Sequence, residues 1–355
     1  MSRTLAPGGA GLRTRRLPAW TPVGVGAAAV LLAYLVIAVP GAGGPVRTGV
    51  VAALLFVLGL GVLSRVVEGG RVARNRIATT LVYAAFGLAL APLLSITVTL
   101  LSKGTERLNG YFLSVSMHNV GAFDDAGGAY HAIMGTLEQA GIATLITVPL
   151  GVLGAVYLVE YGRGPLATLI RFFVDVMTGV PSIVAGLFVL AFWVLIISPM
   201  LNNGRPEYSG FAAALALAVL MLPTVVRSTE EMLRLVPGPL REGAYALGIP
   251  KWRTIMRIVL PTAAPGIVTG IMLSVARACG ETAPVLLVAF GTDSINLDPF
   301  SGGQMSLSLY VYQQAGVASK YAPGRAWAGA LTLVVLVLTL TVAAKLLARR
   351  SKLAR

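Results

Sequence analysis

Long apolar runs, separated by short polar stretches marked with Gly and Pro, dominate the chain. Runs long enough to cross a bilayer as helix, which takes roughly 20 residues, fall at about 22–39, 48–64, 77–101, 132–158, 168–198, 209–227, 264–290 and 326–347. The first is slightly short and the fifth long. The pattern predicts an all-α polytopic membrane protein of about eight transmembrane helices with both termini on one face. Val23 to Val39 exceeds the roughly 7–15 apolar residues of a signal peptide, and Ala38-Val39-Pro40-Gly41 is a poor cleavage site, so an uncleaved first helix is expected.

The interruptions divide the chain. Residues 1–76 read as a two-helix hairpin closed by the turn Pro40 to Pro45, with no acidic residue before Glu68. Residues 77–347 hold the other six spans and the polar features of interest, and 348–355 form a basic tail. Two long polar, Gly-rich loops, about 102–131 and 291–325, are expected on the outer face as surfaces for an external partner. His118 and His131 fall in the first with Asp124 and Asp125, in no metal-binding spacing, and are expected to be solvated.

Composition narrows the class. A mean hydropathy of +0.81 with 12% charged residues excludes an ordinary soluble domain. The net charge of +14 lies at the ends of apolar runs, with no basic stripe interleaved with aromatics, so nucleic-acid binding is not expected. Arg3, Arg13, Arg15, Arg16, Arg65, Arg71, Arg74 and Arg76 fall on one side, with the cations of 227–257 and of the C-terminal tail. The opposite loops hold Arg47, Lys103, Arg107, Arg205, Lys320 and Arg325, so the bias predicts cytoplasmic termini. Cys279 is the single cysteine, which rules out an intramolecular disulfide.

One polar island carries a helix–turn–helix. Pro239 suits a first helical position, and Gly248 before Ile249-Pro250 is a stop signal, giving a helix from Pro239 to Leu247. So short a helix is not stable alone; it needs a groove on a partner. The island Arg241-Glu-Gly-Ala-Tyr-Ala-Leu-Gly248 through Ile258-Val-Leu-Pro261 resembles the EAA loop of ABC-importer permeases. Glu242, Ala244, Gly248, Ile258, Leu260 and Pro261 stand in its register, and Gly243 replaces the first Ala.

Two apolar runs are broken. Gly179-Val-Pro181-Ser, with Gly186 beyond, predicts a kink or interruption in the fifth. Arg171 and Asp175, one helical turn apart, are expected to neutralise each other. In the seventh, Thr262, Gly266, Gly270, Ser274, Ala278 and Thr282 form a small-residue stripe for close helix packing. Arg277 and Glu281 stand at i,i+4 before Pro284, a second interruption. Ionisable groups inside a span face a bundle interior or an aqueous path. Two roles remain open for this pair: a structural ion pair, or an anion station in which the guanidinium offers a planar fork to a tetrahedral oxyanion.

Arg277-Ala-Cys-Gly-Glu-Thr-Ala-Pro284, Gly179-Val-Pro-Ser182 and the EAA loop together resemble the phosphate-specific (Pst) ABC-importer permeases of the A type, over about 77–347. The N-terminal hairpin lies outside that family's six-span body, and Glu138-Gln139 departs from its apolar fourth span. The resemblance implies a six-helix type I importer core with a translocation path at Arg277, Glu281 and Thr282. It implies coupling through Glu242, Gly243, Ala244 and Gly248, and helix breaks at Gly179, Pro181 and Pro284. It further implies a second permease subunit, a cytoplasmic ATPase dimer and an extracytoplasmic phosphate-binding protein, with no cofactor or metal. Permeases for sulfate, molybdate or phosphonate are the nearest alternative. A secondary transporter would show inverted halves, and a purely structural scaffold does not account for Arg277 and Glu281. Phe300-Ser-Gly-Gly-Gln304 mimics an ATPase signature, but no phosphate-binding G-x-x-x-x-G-K-[ST] loop accompanies it; turn chemistry is expected there, and no enzymatic activity in this chain.

Overall fold

The computed structural model describes residues 17–38, 44–121 and 123–353. The turn at 40–43, most of the expected basic N-tail and the last two residues lie outside them. The helices are α1 (Thr21–Ala38), α2 (Pro45–Val67), α3 (Gly70–Arg107), α4 (Gly110–Ser114), α5 (Tyr130–Val156), α6 (Pro165–Thr178), α7 (Ser182–Val189) and α8 (Ser198–Leu201). They continue with α9 (Gly210–Arg234), α10 (Gly238–Ala246), α11 (Lys251–Thr254), α12 (Leu260–Cys279), α13 (Ala283–Ala289), α14 (Leu307–Gly316) and α15 (Ala322–Leu353). Wider π-helical turns at Tyr157–Tyr161, Leu190–Ile197 and Ile255–Val259 extend or join α5, α7–α8 and α11–α12.

Seven described helical stretches are long and apolar enough to cross a membrane: Arg47–Val67, Gly70–Arg107, Tyr130–Tyr161, Ser182–Leu201, Gly210–Arg234, Lys251–Cys279 and Ala322–Leu346. The first predicted run is realised as a shorter apolar helix, Thr21–Val36. Two boundaries differ from the hydropathy reading. The fifth run splits, because Gly179 ends α6 and Pro181 occupies the N-cap of α7. The seventh begins earlier, at Lys251, and stops at Cys279, because helix restarts directly after Pro250 and the π-helical turn carries it through Pro261.

The chain falls into two compact units, residues 1–97 and 98–355. In the first, α1 and α2 pack as a hairpin, and Glu68 closes its base. That carboxylate accepts from the Leu17 N–H, the Ser64 hydroxyl and Arg76 at 2.7–2.8 Å.

The second unit centres on α5 against α9. Lipid tails are as apolar as Leu, so helices in a bilayer associate through close packing rather than hydrophobic burial. The sequence meets that requirement with small residues: Ala140 and Ala143 of α5, and Ala212, Ala213, Ala214 and Ala216 of α9, are buried. A Cβ added at Gly151 would stand 2.7 Å from Val225 Cγ1.

The expected outer loops require a correction. Residues 307–316 form α14, and Leu307, Leu309 and Tyr310 are buried in the core. His131 is not solvated: it is 2% exposed and meets the Tyr310 ring edge-on at 5.7 Å. Arg325 is buried too, donating to Gln314 Oε1 at 2.7 Å and to the Asp124 and Ala126 carbonyls. The Tyr310 ring against His131 and the Asp124 and Ala126 carbonyls on Arg325 come from far along the chain, which local polarity does not register.

Candidate functional site: a short polar helix, an ion-paired base and a polar break

The polar island folds as α10, a turn, and α11. Gly248 adopts φ +73° just past the helix end. Its N–H donates to the Tyr245 carbonyl at 2.9 Å, and the Ile249 N–H to the Ala244 carbonyl at 3.1 Å. This is the Schellman arrangement, which requires a left-handed residue and so favours Gly. Ala244 faces inward; Glu242 and Gly243 are exposed, as are Leu240, Tyr245 and Leu247. Arg241 fastens α10 to the bundle. Its guanidinium lies 3.0 Å from Glu160 and donates to the Leu233 and Val236 carbonyls at 2.9 and 2.6 Å.

Beneath α10, Glu230 of α9 is 3% exposed and gathers three arginines. Arg234 stands at 2.6 Å, Arg227 at 3.2 Å and Arg171 at 3.9 Å. Arg227 also pairs with Asp175. The expected Arg171–Asp175 pair therefore does not form: α6 packs along α9, and each residue reaches a partner across that contact. Glu160 and Glu230 stand outside the sequence expectations: the partner of Glu160 lies on a different helix, whereas Glu230 has Arg227 and Arg234 at i−3 and i+4, a helical spacing that could have singled it out.

The two helix breaks lie together. At the end of α6 the Gly179 N–H donates to the Val176 carbonyl at 3.1 Å. At the end of α12 the N–H groups of Gly280 and Glu281 turn back onto the Arg277 and Ala278 carbonyls at 3.0 and 3.1 Å. Thr282 occupies the N-cap position of α13 and Pro284 its first turn. Between the breaks, α7 packs on α13.

Arg277 Nε lies 3.6 Å from Glu281 Oε1; the Arg side chain is 69% exposed and the Glu 18%. The Glu281 carbonyl accepts from Ser308 Oγ at 2.8 Å, which ties the break to α14. The small-residue stripe seats α12 on α9. A Cβ at Gly266 would strike Met232, one at Gly270 would lie 2.5 Å from Ser228 Oγ, and Ser274 Oγ donates to the Met221 carbonyl at 3.4 Å. Thr262 is exposed and does not join that seam. Cys279 is a buried free thiol.

Residues 300–304 form a turn with Gly302 at φ +74°, yet Gln304 is 1% exposed. Its amide donates to Glu138 and to the Asn296 carbonyl, and its oxygen accepts from Gln139 at 3.1 Å. The two polar residues of α5 that looked out of place thus bind the loop against the bundle. Among the described residues no group of three or more His, Cys, Asp or Glu is placed to hold a metal ion.

Residues 147–353 match the family described as binding-protein-dependent transport system inner membrane component. The phosphate transport system permease protein PstA 1 of Mycobacterium tuberculosis is 48% identical over 276 residues, covering 77% of this chain and 88% of that one. The permease PstA of Mycobacterium leprae is 46% identical over 277 residues, covering 78% and 89%. Among solved structures, a bacterial alginate ABC transporter, in complex with an alginate pentasaccharide-bound periplasmic protein, aligns with a TM-score of 0.50 at 15% identity over 78% of this chain and 94% of that one. That likeness concerns the fold alone. With its multi-span helical body, its EAA-type island and these matches, the chain belongs to the PstA family of phosphate transport system permeases, within the binding-protein-dependent inner membrane components.

Proposed function

We propose that the chain is one of two transmembrane subunits of an ATP-driven phosphate importer, and that it lines the translocation path at Arg277, Glu281 and Thr282. The observation that carries this assignment is the exposed Arg277 guanidinium at a break in an apolar helix, with Glu281 3.6 Å away. An arginine at such depth is covered by an aqueous path or a neighbouring subunit. Its fork suits a tetrahedral oxyanion, and Glu281 keeps the site from holding that anion too tightly. The relatives' names supply phosphate as the oxyanion.

A second permease completes the path. An extracytoplasmic phosphate-binding protein delivers the ion to the outer face, and a cytoplasmic ATPase dimer receives α10 through its exposed apolar residues. The chain itself hydrolyses nothing. Closure of the ATPases moves α10 with α9 and α12 and alternates access. Residues 77–347 are the transport body, the hairpin over 1–76 is additional to it, and the charge bias supports cytoplasmic termini.

Proteoliposomes holding the chain, its second permease, the ATPase and the binding protein are expected to accumulate labelled phosphate only with ATP inside and binding protein outside. Accumulation of sulfate or molybdate in preference to phosphate, or uptake without ATP, would refute the assignment.

A further inference from the structure

Beside the base of α10 opens a cavity of about 590 Å³. Arg163, Arg171, Arg234 and Lys251 line it, against the single carboxylate Glu160. That carboxylate is already taken by Arg241, and Glu230 behind it is shared among three arginines. Counting Arg227, Arg241 and Asp175, six cations converge on three carboxylates. The Arg171 side chain is 39% exposed and donates through Nη2 to the Leu158 carbonyl at 3.1 Å, but its shielded Nε has no hydrogen-bond partner, since Glu230 at 3.9 Å is too distant to accept from it. A guanidinium with one N–H unmet has room for a further acceptor.

The surroundings indicate which kind. Arg163 stands two residues before α6 and Arg171 at its middle, and the 14 residues of that helix reach about 21 Å and cannot cross a hydrocarbon core of about 30 Å. Leu169, Phe172 and Phe173 of the same helix are exposed. An exposed apolar helix beside a cationic cavity is the arrangement met at the boundary between acyl chains and headgroups.

We propose that this cavity binds a phosphate group, carried by an acidic lipid headgroup or by a free phosphate ion, and that its occupant completes the charge network that anchors α10. Arg163, Arg171 and Lys251 supply the donors, Lys251 through the N–H groups left beside the one it gives to the Glu160 carbonyl. This site is separate from the translocation path and goes beyond the transport assignment.

The full-length chain purified with its partner subunits serves as the probe, as wild type and as Arg163→Gln/Lys251→Gln. Neither residue stands in an ion pair among the described residues. Native mass spectrometry counts phosphatidylglycerol retained against a phosphatidylcholine background, and labelled inorganic phosphate in neutral nanodiscs measures the free ion. Each cation is expected to contribute about fivefold, equivalent to roughly 1 kcal/mol, so the double variant loses about 25-fold of whichever occupant binds. Arg163→Lys/Lys251→Arg keeps both charges and is expected to restore binding, which separates charge from misfolding. Phosphatidylglycerol lost in the variant assigns the site to lipid; phosphate lost assigns it to the ion. Equal binding by wild type and variant, or no binding of either probe, overturns the proposal. An Arg277→Gln complex run in parallel is expected to lose uptake while keeping the cavity occupied, so a failure of this site and a failure of the transport assignment are distinguishable.

Discussion

Gly186 of α7 lies directly against Pro284 of α13: a Cβ added at Gly186 would come within 2.7 Å of Pro284 Cα. The helix broken at Gly179–Pro181 and the helix broken at Gly280–Thr282 therefore meet backbone to backbone. Each Pro stands at the start of its short segment, where its missing N–H leaves no helical bond unmade, and the absent side chain at Gly186 lets the two segments close on one another.

Gly186→Ala is accordingly expected to force α7 and α13 apart. Overpacking of this kind costs about 1–3 kcal/mol, read as a lower thermal midpoint of the purified complex. Gly154, whose added Cβ would meet no atom nearer than 3.8 Å, provides the matched control. Equal midpoints for the two Ala variants would show that the backbone contact is not tight.

Arg277 and Glu281 separate an anion station from a structural pair. Arg277→Lys keeps the charge but loses the fork; uptake per assembled complex is expected to fall about tenfold, near the worth of one charge-assisted hydrogen bond. Arg277→Gln should fall further and Glu281→Gln less. Recovery of transport in Arg277→Met/Glu281→Leu would mean that the pair is structural, since apolar replacement of both partners is often tolerated.

At α10, Gly248→Val places a β-branched residue at φ +73°, and Glu242→Lys reverses an exposed charge. Both variants are expected to insert and assemble, with substrate-stimulated ATP hydrolysis reduced to the basal rate. Full stimulation in both would remove the coupling role from this helix.

Glu230→Gln leaves Arg171, Arg227 and Arg234 without their shared carboxylate. Because the arginine side chains are 38–61% exposed, the loss is expected at about 1–2 kcal/mol rather than the 3–5 kcal/mol of a fully buried pair. Arg234→Ala, which leaves two arginines on Glu230, is expected to be milder. The ranking of thermal midpoints checks this, and a reversed order would contradict the shared-carboxylate arrangement.

In the loop after α13, burial pushes the Asp293 carboxyl above its ordinary value, against the opposing pull of Arg325 and His118. A raised acid retains its proton longer in the folded state than in the unfolded. Stability therefore falls as pH rises from the ordinary carboxylate value through the raised one, and is level beyond it. Asp293→Asn is expected to flatten that stretch of the pH–stability curve; an unchanged slope would place the titration elsewhere.

What was legible in the chain was what local spacing encodes. Apolar runs marked the helices, Gly248 before Pro250 marked the end of α10, and the prolines marked both breaks. Contacts made across the bundle were not legible. Arg171 and Asp175 looked paired because they stand one turn apart, yet α9 offers each a better partner. His131 and Arg325 sit in stretches polar enough to read as loop, and only the packing of α14 shows that they are covered. Glu138 and Gln139 look out of place in an apolar span, yet both bond Gln304, more than 160 residues away.

The attachment of Arg241 has a mechanical consequence. Its guanidinium holds the Leu233 carbonyl at the end of α9, the Val236 carbonyl just past it and, through Glu160, the π-helical end of α5. These two helices share a seam of alanines and glycine with little side chain to rearrange. Force delivered to α10 therefore reaches both at once, and the seam gives it no soft layer in which to dissipate. If α10 takes the proposed coupling role, the pair would turn as one lever with the short helix as its handle.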